Sequence, residues 1–138
     1  MNLLATIGRL MFAYLFIMSG VAHLAKLEAM TGYAKYKKVP AAKFFVALTG
    51  VVILGGGISV ALGIYADLGT LAIFLFCVAA ALKRHNYWSE TTSESKMTES
   101  VAFNKDIALA GAALILFVVI GRHANIGWDI TSPFFNFK

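Results

Sequence analysis

The sequence predicts an all-α fold: a four-helix transmembrane bundle with a short amphipathic interfacial helix between spans one and two. Two observations predict it. Four long apolar stretches, Leu3–Leu24, Ala41–Gly63, Leu68–Leu82 and Ile107–Gly121, occupy most of the 138 residues. The chain is also 59% hydrophobic and only 14% charged, whereas soluble domains carry about 25% charged residues.

A hydrocarbon core about 30 Å thick is crossed by a helix of about 20 mainly apolar residues. The first two stretches reach that length unaided. The third and fourth reach it by taking in polar flanks, Asp67 and Lys83 for one, Asn104 and Arg122 for the other. Spans of about 3–24, 41–63, 67–84 and 104–122 thus make one integral-membrane domain of residues 1–138, with no room for a separate soluble domain. The first span has no basic segment ahead of its apolar run and exceeds the apolar core of a signal peptide, so it is expected to stay as a helix.

The segments between spans follow from the same reading. Lys26–Pro40 carries Tyr33 and Tyr36 among Lys35, Lys37 and Lys38, the pattern of an amphipathic helix on a membrane surface, ended by Pro40. His85–Phe103 reads as a polar loop that begins by continuing the third helix through Trp88, with Tyr87 and Trp88 in the aromatic belt. Its acidic residues and the next one, Glu90, Glu94, Glu99 and Asp106, are spaced as a solvated face. The aromatic tail Trp128–Lys138 is expected along the outer interface.

Basic residues are unevenly placed. Lys26, Lys35, Lys37, Lys38 and Lys43 lie between spans one and two, and Lys83, Arg84, Lys96 and Lys105 between spans three and four; Arg9, Arg122 and Lys138 fall on the other side. The positive-inside rule puts the first two groups in the cytoplasm and both termini outside. The net charge of +5 therefore speaks for anionic headgroups and not for nucleic acid.

Small residues in lipid let helix backbones approach closely. Gly50, Gly55, Gly56 and Gly57 in span two, and Gly111 in span four, are the expected packing positions. Ionisable residues at span ends need partners. At the outer level, Arg9, Asp67 and Arg122 are expected as structural ion pairs, Arg9–Asp67 or Arg122–Asp67. At the inner level, His23, His85, Trp88 and Asn104 could hydrogen-bond the carbonyls of a quinone headgroup. Bis-histidine haem ligation by His23 and His85 is disfavoured because both residues stand at helix ends. The lone Cys77 reads as a small apolar core residue. No metal motif, phosphate-cradling glycine loop or nucleophile motif is present, so no catalytic residue and no resident cofactor are expected.

Several segments together resemble one family. They are Arg9-Leu with Ser19-Gly20-Val-Ala-His23-Leu-Ala-Lys26, Leu54-Gly-Gly-Gly57 with Leu62-Gly63, His85-Asn-Tyr-Trp88, and Phe103-Asn-Lys-Asp-Ile-Ala-Leu-Ala-Gly111. In combination, over almost the whole chain, they resemble the DoxX family of small four-helix bacterial and archaeal membrane proteins. The resemblance implies membership of membrane redox complexes, such as a thiosulfate:quinone oxidoreductase or an assembly with superoxide dismutase and a sulfurtransferase. A second-helix glutamate and an arginine after the Leu-Gly end, frequent in that family, are replaced here by apolar residues near Val52 or Ile53 and by Asp67. With the small-residue face and the missing catalytic set, this implies an accessory subunit of a larger, redox membrane complex in a prokaryotic plasma (inner) membrane. Its partners are then lipid and other membrane subunits. The alternative is a quinone-reactive oxidoreductase subunit.

Overall fold

The computed structural model describes residues 3–137. Met1, Asn2 and Lys138, the last counted on the outer side by the charge tally, lie outside the described residues. Five α-helices follow one another: α1 Leu3–Ala25, α2 Leu27–Tyr36, α3 Ala42–Leu62, α4 Ala66–Lys83 and α5 Ser93–Gly121, with a single 3-10 turn at Tyr87–Ser89. No strand occurs among the described residues. Helices α1, α3, α4 and α5 are long and apolar enough to cross a membrane, so the chain is the expected multi-pass membrane protein, and α2 is the expected short helix between spans one and two.

Two boundaries differ from expectation for local reasons. The helix that carries the fourth span begins at Ser93, inside the segment expected to be a polar loop up to Phe103. Thr92 is extended, and its Oγ1 accepts the backbone N–H of Ser95 at 3.2 Å, so a helix cap lies inside the supposed loop. Glu94 in the first turn also suits the positive end of the helix dipole. Helix α4 stops at Lys83 and does not run on to Trp88, because the N–H groups of Arg84 and His85 both return to the carbonyl of Ala80, at 2.8 and 3.0 Å. Thr92→Ala should therefore cost about 1 kcal/mol of local helix stability. Faster amide exchange confined to the first turns of α5 would show it.

Extensive packing runs in the order α1, α3, α4, α5, and α2 lies against α3. One core joins all four spans: Ala13 and Phe16, Ile53 and Val60, Ile73 and Cys77, Ala110 and Ala113. A smaller cluster of Ala34, Ala42 and Val46 holds α2 on α3.

Glycines set the closest approaches, although not all the expected ones. A Cβ on Gly50 would lie 2.8 Å from the Cβ of His23, one on Gly57 2.8 Å from Ile17, and one on Gly56 3.1 Å from the carbonyl of Gly69. Gly55 and Gly111 are exposed, with no atom within 4 Å of such a Cβ. Three consecutive helical residues point about 100° apart. Gly56 thus faces α4, Gly57 faces α1, and Gly55 is left outward. The missing packing positions are Gly20, against the backbone of Leu54, and Gly69, against Gly56 and Ser59.

The end of the bundle where α3 gives way to α4 is closed by residues 122–137 folding back across it. Gly63 ends α3 in the left-handed region at φ 66°, and its carbonyl accepts the N–H groups of Ile130 and Thr131, each at 3.0 Å. The N–H of Tyr65 donates to Thr131 Oγ1 at 2.8 Å, and that of Phe137 to the Gly121 carbonyl at 2.8 Å. Phe135 and Phe137 of this strap stack on each other and meet Phe117 of α5 edge-on.

This closure changes the ion pairing that was expected at the outer level. Arg9, buried in α1, pairs with Asp129 and donates to the Trp128 carbonyl. Asp67, fully buried, accepts the Phe135 N–H through Oδ2 at 2.6 Å. Arg122 is exposed. The expected Arg9–Asp67 and Arg122–Asp67 pairs therefore do not form: the returning tail supplies a partner to Arg9 and another to Asp67.

Candidate functional site

The opposite end of the bundle gathers most of the buried polar side chains. Helix α2 presents Tyr33 and Tyr36, and Lys37 follows at its C-cap, four residues after Tyr33 and so on the same side. Helix α5 presents Glu99 and Asp106, two turns apart on its own inward side. Between them runs the segment after α4, carrying Arg84, His85, Asn86 and Glu90.

Lys37, although a lysine, is only 8% exposed. It pairs with Glu90, lies 3.7 Å from Glu99 and donates to Asn86 Oδ1 at 3.2 Å. Its ammonium also stands over the rings of Tyr33 and Tyr36, 5.8 and 5.6 Å from their centroids. Tyr33 donates its hydroxyl to Glu99. Burial, reinforced by that carboxylate, pushes the Tyr33 phenol well above its usual range. His85 lies between two carboxylates, with Nδ1 2.7 Å from Glu99 and Nε2 3.6 Å from Asp106. Both ring nitrogens are thus directed at acidic oxygens.

His23 points the other way. Its Nδ1 is 2.8 Å from the Ser19 carbonyl. A carbonyl can only accept, so Nδ1 carries the proton and Nε2 is free to accept from Arg84 Nη1 at 3.4 Å. The Arg84 guanidinium lies 5.0 Å from the centroid of the Tyr33 ring. Beside these two residues is a cavity of about 310 Å³ between α2, α3 and α4, walled by Met30, Val39, Phe45, Val46, Phe76 and Ala80 and reached by His23, Lys83 and Arg84. That volume is at the lower end of the range of small-molecule sites.

The sequence-derived quartet is only partly assembled. His23 lines the cavity, whereas His85 is held by Glu99 and Asp106. Trp88 is 54% exposed and packs on Tyr87 and Phe103. Asn104 is exposed on α5. Among the described residues, no three His, Cys, Asp or Glu side chains converge as a metal site. The residues that sequence reasoning passed over are Tyr33, Lys37, Arg84, Glu90, Glu99 and Asp106. One signal was available: the seven-residue spacing of Glu99 and Asp106 puts them on one helix face, provided that α5 is known to start at Ser93. Of the supposed solvated acidic face, Glu90, Glu99 and Asp106 are instead counter-charges to Lys37 and His85, and Glu94 is exposed.

The Lys37–Glu90 contact gives a pH dependence. The ammonium hydrogen bond of Lys37 holds the Glu90 carboxyl below its ordinary value of 4.5. A lowered acid adds stability that is present above the ordinary value and is lost as pH falls through the lowered one. The wild type should therefore lose thermal stability in detergent on acidification below about pH 4, and Glu90→Gln should show a flatter profile there. Parallel profiles would leave the contact without weight.

Comparison with known proteins matches the sequence to one family model, DoxX, over residues 4–86. That segment holds α1 to α4 together with Arg84 and His85, and it ends before Glu90, Glu99 and Asp106. No curated protein and no solved structure matches the chain. The family match spans more than half of the 138 residues and takes in three of the four spans and helix α2, and the chain belongs to the DoxX family.

Proposed function

We propose that this DoxX-family protein is an accessory subunit of a larger membrane assembly, a redox one, and that its contribution there is docking. The observation that carries this reading is a pair of exposed apolar stripes, each with a glycine at its middle. On α3, Val51, Gly55, Ile58 and Leu62 share one outward face; on α5, Ile107, Gly111, Leu114 and Val118 share another. Space beside both glycines is open. A glycine facing lipid lowers helix propensity by about 1 kcal/mol relative to alanine and gains nothing within this chain. It does let a second helix approach closely. The redox setting rests on the associations of the family.

Nine basic residues on the α2 and α4–α5 side against Arg9, Arg122 and Lys138 on the other support a cytoplasmic polar end and termini on the outer side of a prokaryotic plasma membrane.

Gly55→Leu and Gly111→Leu test the docking. Each chain should fold with unchanged or raised thermal stability, because nothing in the chain is displaced. Stoichiometric partners recovered through a tag on the wild type in mild detergent should be lost from one or both variants. Recovery of an unchanged set of partners from both would remove the stripes from the proposal.

A further inference from the structure

Two cations meet the ring of Tyr33 at the polar end, the buried Lys37 and the half-buried Arg84, and only the first has a carboxylate within ion-pair distance. Lys37 has carboxylates of Glu90 and Glu99 within ion-pair distance. Arg84 has none among the described residues; its guanidinium meets a tyrosine ring and the neutral acceptor of His23 instead. Its Nε is buried and has no hydrogen-bond partner. Lys83, next in sequence and also lacking a carboxylate within ion-pair distance, lines the same cavity. A half-buried charge without an ion-pair partner and a buried donor without a hydrogen bond are both unfavourable. Here they stand at the mouth of an apolar cavity of about 310 Å³.

We propose that this cavity is a binding site for an anionic phospholipid, with one acyl chain against Phe45, Val46 and Phe76 and the phosphate at Arg84. The site does not depend on the docking role proposed above. Charge complementarity selects the occupant. A phosphate oxygen accepts from a guanidinium in a charge-assisted hydrogen bond and neutralises it, whereas a quinone carbonyl accepts a hydrogen bond but leaves the charge. Basic pockets between spans on the cytoplasmic side are the setting in which anionic headgroups are held. Lys38, next in sequence to the lining residues Val39 and Pro40, adds a further positive charge to this segment.

The test uses the full chain reconstituted in phosphatidylcholine vesicles containing a minority of phosphatidylglycerol. Protein is re-extracted in mild detergent, and the lipid retained on it is identified by native mass spectrometry. One phosphatidylglycerol per chain is expected, enriched over its share of the vesicle. Arg84→Gln should lower that enrichment roughly fivefold, the factor that corresponds to about 1 kcal/mol for one basic residue at an anionic surface. Ala79→Trp, at an exposed position lining the cavity, should lower total retained lipid while leaving Arg84 and the fold intact. It decides the matter if Arg84→Gln does not fold. Retention of both lipids in the vesicle ratio, or enrichment unchanged by both variants, would overturn the site. Protein from native membranes that carries a quinone or a free fatty acid there in place of phospholipid would overturn it as well.

Discussion

Replacing Gly20 with leucine is expected to force α1 and α3 apart and to lower the thermal stability of the detergent-solubilised protein by about 1–3 kcal/mol or more. A Cβ at this position would lie 2.6 Å from the Cβ of Leu54 and 2.8 Å from its N and Cα atoms. The obstruction is backbone, which cannot rotate away as a side-chain end can. The α1–α3 interface is the most extensive in the molecule, so its widening also opens the cavity wall near His23. Gly55→Leu is the matched control, since space beside that residue is open. Equal melting temperatures for the two variants would contradict the packing described here.

A second large effect belongs to the strap of residues 122–137. The Arg9 side chain is 2% exposed and its ion-pair partner, Asp129, 34%. Asp129→Asn would leave a guanidinium buried beside lipid without a counter-charge, at a cost of about 2 kcal/mol or more once the partial exposure of the pair is allowed for. Removing both charges, Arg9→Met with Asp129→Leu, should be less damaging than removing Asp129 alone. Residual uncompensated charge, and not the loss of the pair as such, then sets the penalty. Measured melting temperatures in the opposite order would show that the strap is held by its backbone bonds to Gly63 and Gly121 and not by Arg9.

The sequence carried the membrane architecture because long apolar runs have few solutions in a bilayer: the backbone must satisfy itself, and helices do so within one segment. Leu3–Ala25 and Ala42–Leu62 match the apolar runs nearly residue for residue. The start of α5 was hidden because its first two turns are Ser, Thr, Glu and Lys apart from Met97, which gives no apolar periodicity; only the cap at Thr92 marks it. The outer pairing was hidden for a different reason. Asp67, Arg9 and Arg122 share a depth, and depth was the one coordinate the sequence supplied. It could not show that Trp128–Phe137 returns over the bundle to meet Arg9 and Asp67. Of the inner site, His23 and His85 were legible as histidines at a common level. Their different neighbours, Arg84 for one and Glu99 with Asp106 for the other, depend on how α2 and α5 are rotated. The outward setting of Gly55 and Gly111 likewise depends on rotation about a helix axis, which a nearly uniform apolar run leaves unspecified.

The most direct measurement of the proposed role is the mass of the intact assembly that contains this chain, taken from native membranes in mild detergent through an affinity tag. An accessory subunit predicts a defined complex in which other polypeptides accompany this 14.9 kDa chain at fixed stoichiometry, redox subunits among them. A mass that is a whole multiple of this chain alone, with no other polypeptide present, would contradict it.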